Sequence, residues 1–457
     1  MKRFVIAVLI FGGPGIVEAQ VQQEDEPPDP APVPEPPREE APEPPEVVPP
    51  QALEPPPAPP PSTTPPAPAP PAPPRDDKPD PSLTIYGHVM LDTGYDAGNI
   101  GDPNWQDVLR PTKLPAFEDQ FGKGGRTFWG VRQTRFGVKS SLPIADGELK
   151  TQFEFELFGT GSDEGQTTFR LRHAYGDWKQ LRAGQTWSPF MDIDVFPNSL
   201  EYWGPNGMVF FRNVQLAWMP IQGDSRVTIA LERPGASADG GIYADRVELE
   251  NVVARFPYPD LSAEARLGGD WGYVELAGIL RYIKWDDLAA PQTLERFDLS
   301  GKEIGWGVNL SSNLKLGKLV ARLSAVYGHG IENYMNDGGS DIGPENTGDP
   351  SSPVEGVALP VLGLVGFVDA NWSDRFTSTA GYSFVRIDNS NAQAPAAFHI
   401  GHYALANLLY HPDARLMLGP ELQYGRRENF SDGWDVSDFR LQFSVKFNYE
   451  KTLGGSK

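Results

Sequence analysis

From Leu83 onward, apolar and polar residues alternate in stretches separated by Gly, Asp, Asn and Pro. Leu149, Thr151, Phe153, Phe155 and Leu157 interleave with Lys150, Gln152, Glu154 and Glu156. Successive strand side chains point to opposite faces, so this segment has one apolar and one charged face. Leu441, Phe443, Val445, Phe447 and Tyr449 oppose Arg440, Gln442, Ser444 and Lys446 in the same way. The pattern predicts sixteen strands, near 83–93, 127–140, 148–158, 167–178, 181–187, 208–219, 225–233, 259–267, 271–285, 302–312, 318–330, 357–371, 376–388, 398–410, 414–427 and 438–449.

The connections settle which way such strands close. Asp146-Gly147, Lys179-Gln180, Gln222–Asp224, Gly268–Asp270 and Ser373-Asp374 are tight turns, and Asp-Gly is a strong hairpin signal. Between them run long connections, 94–126, 159–166, 188–207, 234–258, 286–301, 331–356, 389–397 and 428–437. A secreted sandwich shows the same alternation with its apolar face inside, but nothing in it keeps one end short and the other long. The expected fold is all-β: a sixteen-stranded antiparallel transmembrane barrel, with short periplasmic turns and longer outer loops. Trp178, Trp218, Tyr282, Trp285, Trp372 and Tyr410 fall near strand ends, as interfacial girdles require.

Composition divides the rest of the 457-residue chain. Lys2-Arg3, the apolar run Phe4–Phe11 and Val17-Glu18-Ala19 read as a signal peptide over residues 1–19; the run is too short to span a bilayer as a helix. Residues 20–82 hold 27 of the 47 prolines and a net charge of −10. Proline lacks a ladder donor, and so little apolar surface builds no core. This tract is expected to be a disordered periplasmic arm, with peptidoglycan as its candidate contact. Residues 83–457 form the barrel. A net charge of −22 argues against nucleic acid, and the absence of cysteine excludes disulfides and thiolate chemistry.

Specific runs resemble the DcaP-like porins: 107–117, Val131–Lys139, Thr168–Tyr175, Gly184–Asp192, Trp203–Gly207, Ile331–Asp337 and Gly425–Phe430. The resemblance covers roughly 83–449. It implies a homotrimeric channel in the outer membrane of a Gram-negative bacterium, taking up dicarboxylates and similar small anions. Two departures stand out. The arm is proline-rich where some relatives carry a coiled-coil-like stalk, and Asn448–Lys457 continues past Phe447.

A sixteen-stranded barrel encloses water, and charged rings set the selectivity of such a pore. With Phe136 and Val138 toward lipid, Arg135 and Lys139 face inward. With Phe169, Leu171 and Tyr175 outward, Arg170 and Arg172 face inward. Arg182 and Arg322 complete the basic set, with Arg226, Arg281 and Arg427 as further candidates. Arg pairs with carboxylates through two parallel hydrogen bonds and keeps its charge. By analogy with trimeric porins, the loop after the fifth strand folds inward as a constriction. Its Asp192, Asp194 and Glu201 would face Arg135, Arg170 and Arg172 across a transverse field.

No catalysis or cofactor is expected. The six histidines have no metal-ligand spacing, and no Gly-x-Ser-x-Gly elbow occurs. The alternative to a channel is a structural or adhesive barrel held by its proline-rich arm.

Overall fold

The computed structural model describes residues 80–99, 101–289 and 297–455. The predicted leader and nearly all of the proline-rich arm lie outside them.

Twenty strands follow in chain order: β1 (Ser82–Asp96), β2 (Arg126–Gly130), β3 (Arg135–Ile144), β4 (Gly147–Phe158), β5 (Thr167–Trp178), β6 (Leu181–Trp187), β7 (Arg212–Ile221), β8 (Arg226–Glu232), β9 (Val252–Arg255) and β10 (Asp260–Gly269). They continue with β11 (Gly272–Asp287), β12 (Gly301–Leu316), β13 (Leu319–His329), β14 (Ile342–Asn346), β15 (Val354–Ala358), β16 (Pro360–Ser373), β17 (Phe376–Ile387), β18 (Phe398–Asp413), β19 (Leu416–Asn429) and β20 (Asp435–Gly454). β14 and β15 form a separate hairpin, and the others make one antiparallel sheet. With β2–β3 and β9–β10 each counted as one interrupted strand, the wall has sixteen members. β1 pairs with β20 along its whole length, which closes the barrel. Closure pairs the first and last strands, so the sheet has no end strand, as a sheet crossing hydrocarbon requires.

The faces are inverted relative to a water-soluble protein. On β11, Leu276 is 54% exposed while its neighbour Glu275 is 0% exposed. The same alternation runs along β12, β16 and β20, with apolar side chains outside and polar ones inside. Trp178, Trp218 and Trp372 stand exposed on the outer face. Trp285 departs from the expected girdle: its indole Nε1 donates to the Leu299 carbonyl at 2.7 Å.

Four boundaries differ from the sequence pattern. The strand expected over 127–140 breaks at 131–134, where the Thr134 N–H bonds the Val131 carbonyl. Arg132 and Gln133 leave the ladder there to donate to Asp107 (2.7 Å) and Asp92 (3.0 Å). Met208–Phe211, expected to open a strand, lie in the preceding segment, because Met208 and Val209 are buried in the interior. The connection 331–356 holds the β14–β15 hairpin. Finally, β20 runs on to Gly454, with Glu450–Gly454 paired to Ser82–Tyr86. The extension past Phe447 is therefore part of the wall through Gly454.

The ladder between β5 and β6 stops at Ala174↔Gln185. Above it, Thr167–His173 have no strand partner on that side among the described residues. Beyond β6 the chain leaves the wall and enters the barrel.

Candidate functional site

The lumen is furnished by wall positions of inward parity and by three connections that fold inside. On β4, Glu154 and Glu156 gather arginines from three other strands. Arg172 reaches them at 2.7 and 2.6 Å, and Arg135 at 3.5 Å each. Arg170 and Arg212 stand 3.9 and 3.7 Å from Glu156. Four guanidinium groups thus share two carboxylates. Lys139 is exposed on the same face, its Nζ 4.7 Å over the Tyr86 ring, and Lys446 of β20 lies within electrostatic reach of Arg135. A cavity of about 490 Å³ opens against this cluster, with Tyr86, His88, Arg135, Glu154 and Arg415 in its lining.

Five strands further round the wall the balance reverses. Arg226 of β8 pairs with Glu264 and Glu275 at 3.0 and 2.9 Å. Arg266 of β10 pairs with Glu275, Asp192 and Asp194 at 2.6, 2.7 and 2.5 Å. Here two arginines meet four carboxylates. Between the two clusters Arg182 is held bidentately by Asp177, at 2.7 and 2.8 Å.

The 188–211 connection runs round the inner wall. Asp192 accepts from Tyr273 and Ser311, both at 2.6 Å. Asn198 donates to Asp369, and the Leu200 and Glu201 N–H groups donate to Glu421. The Gly207 N–H donates to Ser383 at 2.9 Å. Phe190, Met208, Tyr334 and Leu109 pack with inward-facing Val326, Val361, Phe367 and Tyr403 as one apolar cluster. Each large side chain so buried contributes roughly 1.5–3 kcal/mol, which fixes the inserted segments. Arg110 of the 97–125 connection ties the third segment by its bond to Asp337, 2.9 Å.

Residues 124–327 match the sequence profile of the DcaP outer membrane protein family. Over that stretch the chain is similar to this family. The solved outer membrane channel DcaP of Acinetobacter baumannii has the same fold, with a TM-score of 0.67 at 19% identity, over 81% of this chain and 97% of that one. An anion-selective porin from Comamonas acidovorans gives a TM-score of 0.51 at 11% identity, over 81% of this chain and 100% of that one. No curated protein sequence matches.

Against the expectations for this barrel, several positions differ. Asp192 and Asp194 do not face Arg135, Arg170 and Arg172; they bind Arg266. Glu201 fronts no pore surface. It is buried and accepts from the Leu109 and Trp203 N–H groups (3.1 and 3.0 Å) and the Tyr403 hydroxyl (3.1 Å). Burial pushes its carboxyl up to about 7, against the pull of those donors. Arg172 is buried beneath its carboxylates, while Arg170 and Arg135 stay partly open. Tyr175 points inward, because a bulge beside Glu154–Phe155 turns both Arg172 and His173 to the lumen and shifts the parity beyond. Its hydroxyl donates to Gln152 at 2.9 Å, and Arg182 covers its ring. Arg322 is spent on Asp369 at 2.5 Å and on the Asp194 carbonyl.

Alternation missed Arg212 and Arg266. Arg266 shares parity with Glu264 and Ser262 and was open to the same reasoning. Arg212 sits at the seam above Gln185, where alternation gives no guide. In the 330–341 segment Glu332 is buried, and neither side-chain oxygen finds a hydrogen-bond partner among the described residues. Burial, and after it the Asp341 charge, push its carboxyl well above the ordinary carboxylate value.

Proposed function

We propose that this barrel is an outer-membrane porin for passive diffusion of small anionic solutes such as dicarboxylates. The observation that carries the reading is the charge surplus around β3–β5: four arginines, Arg212 of β7 among them, over two glutamates, with Lys139 exposed toward the water-filled side. A carboxylate solute meets partly open Arg135 and Arg170 as sites it can share and leave, since each is already half-satisfied. Conduction needs that balance between attraction and release. Acids in exposed loops are screened over ~8 Å at physiological salt, so the chain's overall negative charge weighs less than the lumen's local surplus. The four carboxylates around Arg226 and Arg266 supply the opposite sign further round the wall, and the 188–211 segment narrows the passage. The anion-selective Comamonas porin shares the fold, which makes the reading an economical one.

The assembly in this reading is a homotrimer. The open upper edge of β5 supports association, because a bilayer tolerates no uncovered backbone. Residues 1–19 serve as export leader, and 20–82 as a periplasmic arm reaching peptidoglycan. Liposome swelling tests the transport claim: entry of a dicarboxylate is expected to outpace that of a neutral sugar of matched size. Equal rates would overturn the anion preference, and no swelling would favour a structural barrel.

A further inference from the structure

Arg255, Lys284 and Lys302 stand side by side on the outer face of the wall. Lys284 of β11 pairs in register with Arg255 of β9 on one side and with Lys302 of β12 on the other. They share parity with exposed Leu276, Leu280, Ile304 and Val308, so the row belongs to the lipid-facing surface. Among the described residues Asp286 is the one acid paired to it, at 3.0 Å from Arg255 and 2.7 Å from Lys284.

Height decides what the row meets. Lys284 is the thirteenth residue of β11 from the short-turn end. At ~3.3 Å per residue and ~40° of tilt, it lies about 33 Å up, beyond an apolar band of ~25 Å. Just beneath are Tyr258 and Tyr282, ring centroids 5.4 Å apart, and the exposed Trp306. Aromatic rings of this kind mark the membrane–water interface. The cations therefore stand at headgroup level of the leaflet on the long-connection side.

Two other outward arginines near this rim, Arg386 and Arg426, are neutralised. Arg386 meets Asp388 at 2.7 Å, and Arg426 meets Glu428 and Asp435 at 3.3 and 3.0 Å. Among the described residues the 255–284–302 row keeps two cations more than its paired acid. An anion is needed there, and acyl-tethered phosphate fits best: the cations take the phosphate while Leu280, Tyr282 and Ile304 receive chains below. Basic clusters at this depth bind lipid headgroups through the same pairing. We propose that Arg255, Lys284 and Lys302 form a binding site for the phosphate of an anionic phosphoglycolipid in the outer leaflet.

The full chain in mild detergent is titrated with diphosphorylated lipid A, with the dephosphorylated lipid, and with inorganic phosphate, and read by native mass spectrometry. Arg255→Gln/Lys284→Gln/Lys302→Gln is expected to bind diphosphorylated lipid A at least tenfold more weakly. The control Arg386→Gln/Arg426→Gln is expected to stay within twofold of the parent. Inorganic phosphate at equal concentration leaves the lipid in place, and the dephosphorylated lipid binds weakly. Unchanged lipid binding in the triple variant overturns the site; so does equal binding of dephosphorylated lipid, or displacement by inorganic phosphate. Unchanged liposome swelling shows that the triple variant is assembled. If it does not assemble, Lys302→Gln alone, expected to lose about threefold, carries the test.

Discussion

At the scale of single residues, charge in this barrel is organised as counted groups rather than isolated pairs. Arg281 is buried between Asp260 (3.2 Å) and Asp341 (2.9 Å) and covers the Tyr334 ring. Removing one partner of a buried ionic group leaves the others uncompensated, at about 3–5 kcal/mol. Arg281→Ala is expected to lower the thermal unfolding midpoint in detergent accordingly. Glu332 and Glu201 set a pH dependence. Both are raised in the folded barrel, so each stabilises most below the ordinary carboxyl pKa and loses that contribution as pH rises through the folded value. For Glu201 the loss runs up through about pH 7, and Glu332 adds to it in the same direction. Glu332→Gln keeps the neutral form and breaks no side-chain bond. Its melting temperature should therefore fall less than the parent's as pH rises above the ordinary carboxyl pKa; equal slopes would show that the Glu332 carboxyl is not raised in the folded barrel. Alternation placed Arg135, Lys139, Arg170, Arg182 and Arg322 on a face, but not beside their partners. Glu154 and Glu156 were visible as a polar row, yet which arginines they hold depends on the β4–β5 register and its bulge. No local pattern encodes that register.

Among the elements, strands and tight turns were the legible part. Asp146-Gly147 and Lys179-Gln180 carry their geometry in their own chemistry, and β4, β5 and β6 begin and end within a residue of the expected limits. The break at 131–134 and the β14–β15 hairpin were not legible, because distant groups such as Asp107 and Asp92 decide them. Insertion of 188–211 depends on a close approach of the same long-range kind. A Cβ on Gly207 would come within 2.0 Å of the Phe384 carbonyl oxygen, and Gly363 faces it equally closely. Gly207→Val forces the segment off the wall toward the passage, with an overpacking cost of about 1–3 kcal/mol. Single-channel conductance in planar bilayers should fall. An undiminished conductance would mean that the segment does not border the ion path.

For the molecule as a whole, the account rests on inversion: apolar side chains outside, and inside a water-filled passage whose β3–β5 wall carries surplus positive charge. Swelling rates report solute size and charge together, whereas a reversal potential isolates charge. Under a tenfold KCl gradient across a planar bilayer, the parent channel should give a potential of the sign set by chloride. Lys139→Glu, at an exposed lumen position outside the buried ion pairs, should move that potential toward zero. A parent potential of potassium sign, or one that Lys139→Glu leaves unmoved, would contradict the account.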